Sequence, residues 1–561
     1  MSSTGARRRS TAVRTAPGLT VLPALAGAST GSHLPRDRGS PARNAAIMAA
    51  GTTLSRVSGF GRVLAVGWVL GQGRLADAYN QANTVPNTIY ELLLGGVLSA
   101  TLLPVLMEAL GRTGDDRDDG AIPAVVSFLA ALLVAGTVLF WFCAPLIVRF
   151  FLLRAKGGDI SGERALATTW LRLFTPQLLF IGLTTITTAM LNARRRFGAV
   201  AFSPILANLV TIAALVVADH LVKHSSITAY RSDTLALAVV GIGTTAGYLV
   251  QLLAQLPALL RSGIPLWLSW RPSHPVLLKI GRLSGWTIGA VVANQLSFTL
   301  VSVLANSKAG RLSAFIYSYT FMQLPYAVVA VSIAYVVAPD LAQLWTERDG
   351  GGFADRVGYA MRVTLALLLP GGVGYALLAH PVVVLAFVHG HFSLASAGLT
   401  ATMLAIFALG LPGFSAYLLL MRAFQSKQDT RSMFWLYVGE NALTIVAALA
   451  LYPWAGAPGL AAAWIGSYSL SLPFAWRRLR RSVPIVAPAG WLGRAAAATV
   501  VMAALVAALL SLVPATSSLL WSSARLVFVA AAGAATFIVT ARALGITELN
   551  LLSARYRSLV R

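Results

Sequence analysis

The sequence has one cysteine, few acids and little charge of any sign. A single cysteine, Cys143, excludes an intramolecular disulfide, and its place in an apolar run assigns it to packing. The seven histidines and this cysteine show no His-x-x-x-His or Cys-x-x-Cys spacing, which argues against a metal centre. There is no phosphate-binding Gly-rich loop ending in Lys-Ser/Thr and no Gly-x-Ser-x-Gly elbow. Nor is there a polar stretch long enough for a soluble catalytic domain. The sequence therefore predicts a protein without covalent chemistry or a cofactor, and without its own nucleotide-driven motor.

Charged residues make up only 11% of the chain, against roughly 25% in soluble domains. In their place stand hydrophobic residues, 57% of the total. Many lie in blocks of about 20, the length that crosses a hydrocarbon core of roughly 30 Å. The net charge of +25 does not point to nucleic acid. The basic residues sit in short clusters between apolar blocks, where the positive-inside rule places them, rather than in a stripe with interleaved aromatics.

Residues 1–43 are rich in Arg, Ser, Gly, Pro and Thr and read as a disordered basic cytoplasmic tail. Its stretch 19–28 is too short and too broken by Pro and Gly for a signal peptide. Apolar segments follow at about 44–70, 80–108, 121–151, 165–191, 200–222 and 234–260. A second set lies at about 280–306, 312–338, 357–388, 394–421, 432–452 and 459–475, and two more at about 490–512 and 521–543. The fold class is thus an all-α polytopic membrane protein with about fourteen transmembrane helices. With the N-terminus inside, the inner loops carry Arg194–Arg196, then Arg261, Arg271 and Lys279, then Arg422, Lys427 and Arg431, then Arg477, Arg478, Arg480 and Arg481. The outer loops at 389–393, 453–458 and 513–520 carry no Lys or Arg, which predicts both termini in the cytoplasm. The acidic run 115–119 is the exception among the inner loops, and acids contribute little to topology.

An internal repeat shows at a spacing of roughly 230 residues. Arg56-Val-Ser-Gly-Phe60 is similar to Arg282-Leu-Ser-Gly-Trp286, Asn208-x-x-Thr211-Ile212 to Asn441-x-x-Thr444-Ile445, and Val85-Pro86 to Leu324-Pro325. Six helices per unit keep both copies in one orientation. The expected organisation is two six-helix lobes in parallel repeat, 44–262 and 263–485, then a helix pair at 486–545 and a basic tail at 546–561.

A charge at mid-membrane costs on the order of 2.5–3.5 kcal/mol on insertion scales and so calls for a partner or a watery cavity. The first helix carries Arg56 and Arg62 and is interrupted by Gly51, Gly59, Gly61 and Gly67. A guanidinium forks onto phosphate oxygens, so these arginines suit a membrane substrate with a pyrophosphate head; snorkelling of Arg62 and pairing of Arg56 with Glu91 are the structural alternatives. Glu91 itself reads as counter-charge, proton carrier or gate. Asp77 falls in the short connection after the first helix, where a solvated loop acid is the default. Glu440, Asn441 and Thr444, with Asn294 and Gln295 on another helix, offer oxygen ligands for Na⁺, a proton carrier, or plain interhelical hydrogen bonds. Prolines 86, 104, 176, 204, 325, 339, 370 and 412 lie inside the apolar segments. They suit a bundle that moves, although static membrane proteins tolerate them too.

Ser55-Arg56-Val57-Ser58-Gly59-Phe60-Gly61-Arg62, followed by Gly71, Ala76-Asp77-Ala78-Tyr79 and Val85-Pro86-Asn87, resembles the MurJ (MviN) family of lipid II flippases in the MOP exporter superfamily. Tyr317 through Gln323-Leu324-Pro325 resembles the family's eighth helix, and the likeness spans about 44–545. It implies a cationic central cavity that takes the pyrophosphate–sugar head while the polyprenyl tail stays in lipid. It also implies a bacterial plasma-membrane setting, membrane lipids and cell-wall synthesis proteins as partners, and coupling to membrane potential, H⁺ or Na⁺. Ser55, Arg56, Arg62 and Asp77 match family positions, and Glu91 joins them as a substrate-binding candidate. The chain departs at Val63, where the family often has an acid, at Tyr90 and Glu91, where it often has arginines, and at Thr320, where an arginine is usual. Lys308 and Arg311 are the candidates to make up the missing positive charge. An exporter of another lipid-linked glycan or of a drug, and a non-transporting scaffold for cell-wall synthesis, are the rival readings.

Overall fold

The computed structural model describes residues 41–92, 121–222, 224–264, 267, 269–513, 518–546 and 548. The tail 1–40, the segment 93–120 with the end of the second apolar block and the acidic run, and the tail beyond 548 lie outside the described residues. Every regular element among the described residues is helical. In chain order these are α1 Pro41–Leu70, α2 Arg74–Tyr90, α3 Ala121–Phe151, α4 Ile160–Phe174, α5 Gln177–Ala193, α6 Phe197–Leu221, a short α7 Ile227–Ser232, and α8 Thr234–Leu260. Then come α9 Pro275–Ala305, α10 Arg311–Tyr326, α11 Ser332–Thr346, α12 Gly350–Leu377, α13 Ala379–Phe387, α14 Leu394–Ser426, α15 Thr430–Arg480, α16 Ala489–Leu512 and α17 Leu519–Ala543.

Local chemistry sets the boundaries. Asp159, Asp233, Asp349 and Asp429 each accept from backbone N–H groups of the first turn of α4, α8, α12 and α15, supplying the partners those donors lack inside the helix. Pro176 separates α4 from α5, which together make one crossing. Pro325 removes a donor near the end of α10, and the chain widens into a π turn, Ala327–Val331, before α11 continues. Gly456, at φ 60° and ψ −137°, breaks α15 into two antiparallel halves. Among the described residues, eleven segments are long and apolar enough to cross a membrane. Counting α1, α2 and the two halves of α15 separately gives the fourteen crossings expected. The outer face is apolar, with Phe142 and Leu146 each 68% exposed, as lipid contact requires.

Two apolar cores organise the bundle. One is drawn mainly from α1–α8 and the other from α9–α17. Lipid tails offer no hydrophobic drive between helices, so close backbone approach matters. Gly247 of α8 sits where a Cβ would be 2.7 Å from the Ala207 carbonyl of α6, and Gly372 of α12 repeats this against Ala408 of α14. The pairing of α1 with α6 recurs as α9 with α15, and α16 packs on α12. The first core also takes in Tyr317, Phe321, Val383, Phe387 and Phe392 from the second half of the chain. The two halves are therefore welded at one end of the bundle, where the α1–α2 turn lies.

Candidate functional site

At the opposite end, marked by Arg194–Arg196 and Arg477–Arg481, the wall of α1 stands clear. Arg56 is exposed and Ser55 half-buried. The Ser55 carbonyl accepts from Ser58 Oγ at 3.0 Å and from Asn208 Nδ2 at 3.5 Å, which fixes this turn of α1 against α6. In the second half, Arg422 of α14 lies over the Tyr335 ring at 5.9 Å and donates to Gln425 Oε1 at 2.8 Å. Arg56 and Arg422 both lie within electrostatic range of the Tyr326 phenol at the end of α10. Each half of the chain thus supplies one exposed guanidinium with Tyr326 in electrostatic reach, and Arg422 also lines a small pocket with Tyr326 and Tyr335 inside the second half. Arg62 is half-buried and turned into the first half, donating to the Tyr248 hydroxyl at 3.2 Å. The Phe60 and Phe321 rings, 4.5 Å apart, mark the depth at which the walls meet. Glu91 is exposed and, among the described residues, forms no ion pair with Arg56 or Arg62.

The welded end is polar as well as apolar. Asp77 is not a solvated loop acid. It lies in the first turn of α2, fully buried, and caps the N-terminus of α10 in the other half of the chain. Its carboxylate accepts from Gly310 N at 2.6 Å, Ser313 N at 2.8 Å and Ser313 Oγ at 2.7 Å. Charge-assisted bonds to helix-end N–H groups are among the stronger hydrogen bonds available. Beside it, Arg74 donates to the carbonyls of Asn306 at 2.9 Å and Lys156 at 2.8 Å and pairs with Glu163 at 3.1 Å. Asn306 donates to Gln81, Asn80 to Ser313, Tyr317 to the Gly71 carbonyl and Thr400 to Gln72. Gly71 and Gly390 adopt positive φ where the strands of this clasp cross. A Cβ at Gly390 would lie 2.4 Å from the Trp68 carbonyl.

Lys308 and Arg311 belong to this end, flanking the Asp77 cap, so they do not replace the positives missing from the cavity wall. Arg422 is instead the exposed basic residue of the second half that, like Arg56, lies within electrostatic reach of Tyr326. In the sequence it looks like one more basic residue of an inner loop. Arg74 and Glu163 gave no signal in the sequence because their partners lie on other helices.

Glu440, Asn441 and Thr444 are all buried within the second half. Thr444 Oγ1 donates to Glu440 Oε1 at 3.0 Å, and Asn441 Nδ2 donates to the Tyr437 carbonyl at 2.8 Å. Glu440 Oε2 has no hydrogen-bond partner among the described residues. Asn294 is half-buried on α9, which packs against α15, and makes no described hydrogen bond to Glu440. No group of three or more His, Cys, Asp or Glu side chains suited to a metal occurs among the described residues.

A fourteen-crossing bundle of two halves, clasped at one end and with exposed arginines at the other, has the architecture of a membrane transporter. A solved structure described as lipid II flippase MurJ in an inward closed conformation aligns with a TM-score of 0.73 at 20% identity, covering 92% of this chain and 100% of that one. An inward-facing multidrug resistance MATE transporter of the MOP superfamily aligns at 0.60 and 14% identity, over 78% and 98%. The profile of the family described as lipid II flippase MurJ matches residues 67–531, and the chain belongs to that family. Relatives include the "Probable lipid II flippase MurJ" of Vibrio cholerae, 29% identical over 69% of this chain and 73% of its own. The lipid II flippase MurJ of Burkholderia cenocepacia is 27% identical over 73% and 78%. The protein is thus a multi-pass membrane protein of a bacterial transporter family.

Proposed function

We propose that this protein moves lipid II, the polyprenyl-pyrophosphate-linked peptidoglycan precursor, from the inner to the outer leaflet by alternating access, without covalent chemistry. The observation that carries this reading is that Arg56 of α1 and Arg422 of α14, one from each half, are both exposed and both within electrostatic reach of Tyr326. A pyrophosphate needs more than one guanidinium, and a site shared between the two halves ties its binding to their relative position. The basic loops support a cytoplasmic setting for the parted end and both termini, with the clasped end outside. The clasp of Asp77 on α10 then closes the outer exit while the head group enters from the inner leaflet. Rocking of the lobes 44–262 and 263–485 would break the clasp and close the parted end. Glu440, with Thr444 and Asn441 and with Asn294 on the neighbouring α9, supports a coupling site for H⁺ or Na⁺ in the second lobe. Membrane potential adds about 2.3 kcal/mol per charge per 100 mV.

The test is outward exposure of lipid II in cells depleted of this protein, read by an added enzyme that does not cross the membrane. Wild type restores exposure and Arg56→Ala does not. Unchanged exposure on depletion, with no other flippase present, would turn the reading toward another lipid-linked glycan. A scaffold would tolerate Arg56→Ala.

A further inference from the structure

Between the start and the end of α15, at the basic end of the bundle, lies a surface groove of roughly 660 Å³. Four arginines line it: Arg431 from the first turn of the helix, Arg477 and Arg478 from its last turn, and Arg481 just past its end. Arg478 is engaged, donating to Ser432 Oγ at 3.0 Å and lying near the Asp429 cap. Arg431, Arg477 and Arg481 are exposed and have no ion pair or hydrogen bond to any described residue. The floor is aromatic. Trp435 is 59% exposed and Phe474 is 62% exposed. Neither Arg56 nor Arg422 lines this groove.

We propose that this groove binds an anionic phospholipid of the surrounding membrane, its phosphate among the arginines and its acyl chains along Trp435 and Phe474. Positive-inside statistics account for arginines near a membrane surface, but not for their convergence on one concavity. Such convergence concentrates positive potential where a phosphodiester can accept bidentate bonds. The exposed Trp and Phe place the groove at the level where headgroup meets hydrocarbon, so the occupant is a lipid rather than a soluble anion. Both halves of α15 contribute, so an occupied groove would brace the helical hairpin that carries Glu440.

The test uses the purified, delipidated full-length protein and measures retention of phosphatidylglycerol against phosphatidylcholine by native mass spectrometry. Wild type should retain phosphatidylglycerol selectively. Arg477→Gln/Arg481→Gln should weaken it about tenfold or more, while Arg480→Gln, outside the groove, should leave it unchanged. Arg477→Lys/Arg481→Lys preserves both charges and should keep the selectivity, which separates lost binding from lost folding. Trp435→Ala should lower retention with the charges intact. Equal retention of the two lipids, or full retention by the double Gln variant, overturns the proposal. So does complete displacement by millimolar inorganic phosphate, which would mark a site for free phosphate.

Discussion

At the residue scale, one carboxylate does unexpected work. Asp77 joins the halves of the chain through three hydrogen bonds, none of which sequence separation could reveal, since Gly310 and Ser313 lie more than two hundred residues away. Hydrogen bonds to a charged group contribute about 1.5–3 kcal/mol each. Asp77→Asn weakens them and leaves a donor facing donors. The clasped population should therefore fall about tenfold or more relative to the parted one. Spin labels at Arg154→Cys and Lys308→Cys, in a Cys143→Ala background, read this as a shift toward longer distances; an unchanged distribution would remove Asp77 from the clasp. Arg74 should be still less replaceable. Arg74→Ala leaves Glu163 buried and unpaired, a loss of about 3–5 kcal/mol for a broken buried pair, whereas Glu163→Gln keeps a neutral acceptor. Thermal unfolding should rank Arg74→Ala well below Glu163→Gln. Arg56 was legible in the sequence because a charge in an apolar block stands out. Arg422 was not, because near a helix end the same residue type is the rule.

At the scale of elements, the helices were legible and their joints were not. Apolar runs of membrane length leave little freedom, so the crossings fall where the blocks do. The split of α4 from α5 and the clasp strands near Gly71 and Gly390 depend on backbone geometry that hydropathy does not encode. Gly390→Ala adds a Cβ against the Trp68 carbonyl at a positive φ. The left-handed conformation alone costs roughly 1–2 kcal/mol, so the variant should part the same spin-label pair as Asp77→Asn. The last helix is pinned differently. Beyond the end of α17, Glu548 accepts from Arg362 Nε of α12 at 2.8 Å and from Trp491 Nε1 of α16 at 3.0 Å. Burial pushes this carboxyl up, but the bonds from Trp491 and Arg362 outweigh it and hold it below its usual range. A depressed carboxyl stabilises the fold above its unfolded value of about 4.3 and loses that contribution as pH falls through the folded value. Wild type should lose stability below about pH 4, and Glu548→Gln should flatten that step; a variant that keeps the full acid step would detach Glu548 from it.

At the scale of the molecule, two cores meet at a single clasped end, an arrangement that suits the rocking proposed above. The repeat was legible as three short matches, and α1 against α6 with α9 against α15 gives those matches a spatial counterpart. The partition of polarity was not legible. Polar residues at the clasp bond to each other across the two halves, while Arg56 and Arg422 are left exposed. Binding a pyrophosphate there would supply the charge that the walls lack and favour their approach, which is how substrate would drive the lobes past one another. Arg422→Gln should therefore weaken lipid II binding with little effect on the clasp distances, the reverse of Asp77→Asn, and native mass spectrometry with lipid II separates the two. The most direct measurement is flipping by the purified protein in proteoliposomes carrying lipid II, with an impermeant enzyme added outside. The account predicts that wild type makes the inner-leaflet pool cleavable, and that Arg56→Ala leaves it protected as in protein-free vesicles. Equal cleavage with wild type and Arg56→Ala, or a protected inner pool with both, would contradict it.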